Sequence, residues 1–318
     1  MACCWFAASG CAWLRGDVPA PAEARPAPFQ GERAFAHLEA LVALGPRVAG
    51  TPAVGQARAY VRAELEGLGL SVHEDEFRFA SEPGAPEQVL ANLWAEIPGT
   101  HAGLFIVATP LDTPPGESPG ANEGGSGAAL LLELARALHE RSLPYSVRLL
   151  FLDGDLLTSE TAFLGSAHAH RSLAESGELQ TLRLLLYVHQ VGDRELEIRR
   201  DRSSDRVLRE VFFSAARGAG LAAAFPSAAP YDDVRLGHRA FVARRFTRVV
   251  ALADLRYGGP DIPGEHWRTP QDDLAHCSPE SLAAVGTVVL TGLEAAAERQ
   301  LVVDRASGAA RPEEDGHP

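Results

Sequence analysis

The chain has 318 residues, 46% of them hydrophobic, which suits one large α/β domain or two smaller ones and excludes a mostly disordered protein. Acids outnumber bases 42 to 29, for a net charge of −13, and every base is an arginine. An acidic chain lacks the basic face that a general nucleic-acid binder needs, and a chain without lysine cannot use a lysine nucleophile, a Schiff base or a phosphate-loop lysine.

The N-terminal segment, residues 1–15, is apolar up to Leu14 and reads as a signal or lipoprotein leader. Ala8-Ser9-Gly10-Cys11 resembles the lipobox of bacterial lipoproteins, where the cysteine is lipidated. On that reading the protein belongs to the bacterial cell envelope and meets a membrane only through its N-terminal anchor. A cytoplasmic chain with a frayed N-terminus is the competing reading. No apolar run reaches the ~18 residues of a transmembrane helix. Pro19, Pro21, Pro26 and Pro28 mark residues 16–30 as an extended tether. Three of the four cysteines fall in the first eleven residues, which argues against a disulfide framework or a cysteine-rich metal site.

Beyond the tether, hydrophobic spacing predicts helices over 31–45 and 53–68, the first ended by Gly45-Pro46, then a strand over 71–79. Asn92–Ile97 and Gly103–Ala108 read as two further strands around a Pro98-Gly99 turn. Leu130, Leu131, Leu134 and Leu138 form one face of a helix over 127–141. The wholly apolar runs Val147–Leu152 and Leu184–Val188 read as buried parallel strands. A helix over 204–218, a strand over 249–255 and a helix over 278–299 follow, the last opened by Ser278-Pro279-Glu280 as cap and first turn. Strands alternating with helices predict a three-layer α/β sandwich: a mostly parallel mixed sheet with helices on both faces, in one domain spanning 31–302. Residues 303–318 read as a disordered acidic tail.

In such folds chemistry sits on loops at the carboxyl ends of strands, and four loops stand out. They are Ala108-Thr109-Pro110-Leu111-Asp112; Gly120-Ala121-Asn122-Glu123-Gly124-Gly125-Ser126-Gly127; Phe151-Leu152-Asp153-Gly154-Asp155-Leu156 with Phe163-Leu164-Gly165-Ser166 after it; and Tyr257-Gly258-Gly259-Pro260 leading to His266-Trp267-Arg268-Thr269. In this order and spacing they resemble metallopeptidase family 28, the zinc aminopeptidases and glutaminyl cyclases, over roughly residues 32–300. Ser126 in the glycine-rich loop reads as a helix cap, because the loop lacks the strand–elbow spacing of a nucleophilic serine.

The resemblance implies a zinc-activated water held by histidines and carboxylates. Carried over position by position, the first histidine falls on Pro110, the bridging aspartate on Glu123, the general base on Asp155, the ligand glutamate on Leu156, the next aspartate on His189 and the last histidine on Arg268. Proline and leucine offer no donor, and a guanidinium releases no lone pair. The expectation is therefore a degenerate site, with no cofactor, in a pseudoenzyme that binds a peptide-like ligand or a protein partner and no nucleic acid. The alternative is an active aminopeptidase or glutaminyl-peptide cyclotransferase whose zinc site has been rebuilt. Arg268 is expected where zinc would stand, paired with Glu123, Asp155 or both. Asp112, His189, Asp232, Asp233, His266 and Trp267 complete the expected pocket. Asp232-Asp233 resembles the cyclases' paired acids, and Trp267 matches the tryptophan that walls their pocket.

Overall fold

The computed structural model describes residues 28–157, 163–229 and 231–306. The expected leader, with Cys11, and residues 307–318 of the expected tail lie outside the described residues. The tether ends sooner than its proline content suggests: Phe29 is buried against Gly286, and the Gln30 amide donates to Glu133 Oε1 at 2.9 Å.

Six strands form one sheet: β1 (Val72–Phe79), β2 (Gln88–Ile97), β3 (Gly99–Pro110), β4 (Leu143–Leu152), β5 (Leu182–His189) and β6 (Val249–Ala253). Their order is β1-β2-β4-β3-β5-β6. The β4–β3–β5–β6 part is parallel, and β1 and β2 add antiparallel at one edge. The central strands are apolar throughout because both faces are covered. On β3, Phe105 and Val107 enter one core, and Leu104, Ile106 and Ala108 enter the other.

The larger core is closed by α1 (Gly31–Val42), α2 (Pro52–Gly67), α3 (Gly127–His139), α5 (Arg206–Gly218) and α7 (Pro279–Ala306). The smaller core lies under α4 (Leu164–Glu175) and α6 (Arg239–Val242). α7 starts as its sequence suggests, with the Ser281 amide donating to Ser278 Oγ at 3.2 Å. It continues past the expected domain end at 302, because Asp304 is buried and accepts from the Tyr145 hydroxyl at 2.8 Å. By length and composition α7 could cross a membrane, but most of its apolar stretch is buried against the sheet and its neighbours.

The parallel strands bring their carboxyl ends together. Pro110 sits opposite Leu152, His189 opposite Ala253, and the Leu111 amide donates to the Leu152 carbonyl at 2.8 Å. β3 leads through α3 to β4 on one side, and β4 returns through α4 to β5 on the other, so the crevice between β3 and β5 is a topological switch point.

Candidate functional site

The glycine-rich loop enters α3 through a wide turn, Asn122–Ser126, in which Glu123 (φ −86°, ψ 105°) and Gly124 (φ +89°) leave the helical region. A Cβ on Gly124 would lie 2.0 Å from the Asp112 carbonyl oxygen, so both the dihedral and the space demand glycine. Asp272 fixes the turn from outside: its carboxylate accepts from the amides of Asn122 at 2.6 Å and Glu123 at 3.3 Å and from the Ser118 hydroxyl at 3.1 Å. Ser126 does not cap α3 as its position suggests. Its own dihedrals are already helical, and its hydroxyl accepts from the Val191 amide at 3.0 Å and donates to the Asn122 carbonyl at 2.7 Å, tying the turn to the end of β5.

Arg268 reaches the turn from the loop before α7. Its Nε lies 3.4 Å from Glu123 Oε1, and its guanidinium carbon lies 4.3 Å from the centre of the Trp267 ring. Asp155, the other acid expected to meet it, bonds elsewhere. It accepts from the Ser166 amide at 2.8 Å, the Ser166 hydroxyl at 2.6 Å and the Tyr187 hydroxyl at 3.1 Å. Gly237 packs so closely there that a Cβ would stand 2.2 Å from Asp155 Oδ2. Leu156 is buried, and its amide donates to Asp112 Oδ2 at 2.9 Å.

Burial dominates the ionisation of these groups. It pushes the Glu123 carboxyl up to about 7 even though Arg268 pulls the other way. It lifts Asp155 to about 6 against its three hydrogen bonds, and raises Asp112 well above the usual carboxylate range. His189 falls to about 3, first through burial and then through the Arg268 charge, so its ring is neutral.

A cavity of about 390 Å³ opens beside these residues, within the usual range for ligand sites. Of the expected pocket residues, Glu123, Asp155, Asp233, Trp267 and Arg268 line it. The other four do not. Asp112 is fully buried behind Leu156, and His189 is buried at the end of β5, so that its neighbour Gln190 lines the cavity instead. Asp232 turns to Arg256, accepting from its Nη1 at 2.8 Å and Nη2 at 3.1 Å. The His266 ring packs between Tyr257 and His276. The walls that the sequence did not announce are Phe163, Gln190, Arg235, Leu236, Leu255 and the Ile262-Pro263 pair.

Strain marks the same place. Among the described residues four non-glycine residues have left-handed backbones: Phe163 (φ 35°), Gln190 (φ 50°), Arg245 (φ 67°) and Arg268 (φ 57°). Three of them, all except Arg245, line this cavity. Each such conformation costs on the order of 1 kcal/mol or more and persists only where its surroundings impose it.

The sequence profile of Peptidase family M28 matches residues 92–293. The chain belongs to family M28. Among solved structures, it is similar to a glutaminyl cyclase from an Acidobacteriales bacterium, at 28% identity and a TM-score of 0.79, covering 88% of this chain and 99% of that one. It shares its fold with a leucine aminopeptidase precursor from Bacteroides thetaiotaomicron (21% identity, TM-score 0.76, 85% and 98% covered) and a Zn-dependent exopeptidase from Parabacteroides distasonis (21%, 0.74, 85% and 99%). The α/β sandwich and the family read from the four loops are those found.

Zinc in an M28 site needs three or four donors at about 2.0–2.3 Å. Of the six positions that the family resemblance assigns, Pro110 and Leu156 offer none, Asp155 is engaged by Ser166 and Tyr187, and Arg268 is a fixed cation beside Glu123. Glu123 Oε2 and His189 Nε2 are buried without a hydrogen-bond partner, which leaves two donors. Among the described residues no group of three or more His, Cys, Asp or Glu side chains is placed to hold a metal ion. The residues present do not fit a zinc centre.

Proposed function

We propose that this M28 domain is a pseudoenzyme: a binding module that keeps the family's cavity and takes a peptide-like ligand, free or at the end of a partner protein, without zinc chemistry. The observation that carries this reading is the Arg268–Glu123 contact at 3.4 Å, which puts a fixed cation on the acid that the family resemblance makes a bridging ligand. A guanidinium balances a buried carboxylate as a metal would, but it cannot lower the pKa of a bound water to generate a nucleophile. Asp155, in the general-base position, already receives three hydrogen bonds, so little of its carboxylate is left to take a proton from water. The leader-like N-terminus, with Cys11 in its lipobox-like setting, supports placing this module at the bacterial cell envelope.

The test is elemental mass spectrometry of the purified protein after zinc exposure and desalting, together with assays on an N-terminal glutamine peptide and a leucine anilide. The expected result is zinc far below one per chain and no turnover. A second reading is an aminopeptidase or glutaminyl-peptide cyclotransferase with a rebuilt metal site. It is favoured by the two unpartnered buried atoms, Glu123 Oε2 and His189 Nε2. About one zinc per chain, lost in Glu123→Ala and His189→Ala, would establish that reading and overturn ours.

A further inference from the structure

The cavity is asymmetric in both charge and polarity. In the lining Arg268 spends only Nε, on Glu123; among the described residues Nη1 and Nη2 have no hydrogen-bond partner, and the side chain is 30% exposed. The other charged groups of the lining are also paired, Arg235, like Arg268, through its Nε alone. Asp155 is held by Ser166 and Tyr187, and Asp233 pairs with Arg235 at 3.2 Å and Arg239 at 3.1 Å. Much of the remaining wall is apolar, built by Phe163, Leu236, Leu255 and Ile262, and Ile262 is 51% exposed. Trp267 lies under the guanidinium and fixes its place.

We infer that the cavity recognises the free C-terminal carboxylate of a short peptide ending in an apolar residue, with the carboxylate on Nη1 and Nη2 of Arg268 and the apolar side chain against Leu236, Leu255 and Ile262. This inference rests on the peptide-binding reading above and adds which end of the peptide enters. A guanidinium presents two parallel donors that match a carboxylate. An N-terminal ammonium in the same place would face a like charge. A doubly charged phosphate would meet three carboxyls, Glu123, Asp155 and Asp233, against two arginines, Arg268 and Arg235, each already paired with one of them, whereas a monoanion adds less repulsion. The volume, about 390 Å³, suits one or two residues of a chain end.

The experiment is isothermal titration calorimetry of the full chain, with EDTA present, against the dipeptide Ala-Leu and its C-terminal amide. The expected result is binding of the acid at least tenfold tighter than the amide, with the difference abolished in Arg268→Gln and with inorganic phosphate failing to compete. Equal binding of acid and amide would overturn the inference and leave the peptide-binding reading standing. Absence of binding by either would overturn both. If Arg268→Gln does not fold, the comparison of acid with amide on the unaltered protein decides alone.

Discussion

Asp272 grips the backbone of Glu123 while opposing its side chain. Its Oδ2 accepts from the Glu123 amide at 3.3 Å, and its charge adds to burial in raising the Glu123 carboxyl. Arg268, four residues earlier in the same loop, draws that carboxyl the other way. The loop before α7 thus sets both where Glu123 stands and how it ionises. Asp272→Ala would leave the amides of Asn122 and Glu123 and the Ser118 hydroxyl without their acceptor. Each buried donor so stranded costs about 1–3 kcal/mol, so urea unfolding should show a loss of roughly 3 kcal/mol. A loss under about 0.5 kcal/mol, the range of an ordinary surface change, would contradict this account.

Gly124 should tolerate no side chain. Gly124→Ala combines a left-handed backbone with a Cβ 2.0 Å from a main-chain oxygen. The expected cost is about 2 kcal/mol or more, read as a drop in melting temperature. Gly84, also left-handed (φ +87°) but with nothing within 4 Å of its would-be Cβ, is the control: Gly84→Ala carries the strain alone and should cost less.

The proposal that this site holds no zinc can be run in reverse. Leu156→Glu combined with Arg268→His returns two donors to the positions that the family resemblance assigns as ligands, beside the existing Glu123. The double variant should retain about one zinc per chain after desalting. Either single variant should retain much less. No gain in the folded double variant would show that backbone placement, and not donor identity, keeps zinc from these loops.

One titration should be visible in stability. Burial, with the nearby Asp193 adding, lifts the Asp254 carboxyl to about 7, while the Glu197 and Arg256 amides hold it back. A carboxyl raised on folding keeps a proton that the unfolded chain gives up. Its contribution is therefore intact below about pH 4, shrinks as pH climbs toward 7 and is constant above that. Asp254→Asn removes this term. The stability of the unaltered protein relative to the variant should fall by up to about 1.4 kcal/mol per pH unit in that window. A difference that stays flat across it would refute the assignment.

The sequence carried most of the elements, the sheet and the loop cluster, α4 and α6 excepted, because each rests on local pattern: apolar runs for β4 and β5, the leucine face of α3, Ser278-Pro279 at the start of α7. It also carried Arg268 as a partner for an acid here, with Glu123, Asp155 or both left open, because charge balance limits the choices, and the structure picks Glu123. It could not carry what depends on tertiary contacts. Asp155 is drawn away from Arg268 by Ser166 and Tyr187, which lie 11 and 32 positions along the chain. Ser126 sits where a cap belongs yet serves β5, since its dihedrals are already helical. Asp232 and His266 carry pocket-like chemistry but are claimed by Arg256 and by two neighbouring rings. The left-handed backbones of Phe163, Gln190 and Arg268 have no signature in residue type, because phenylalanine, glutamine and arginine do not favour that region.

Arg47 draws a boundary that family membership does not. Fully buried, it donates to the carbonyls of Leu41 and Gly45 on one side and of Leu111, Pro119 and Gly120 on the other. One planar cation thereby stitches the end of α1 to the segment that presents Glu123. The stretch shared in sequence with M28, residues 92–293, begins inside β2 and leaves Arg47 out. A protein trimmed to that stretch would lose the donor for three of its own carbonyls, the edge strand β1, and the α1 side chains Leu38 and Leu41 that close the main core. What is recognisable by kinship and what folds as a unit have different limits here, and expression work on this domain should start ahead of Phe29.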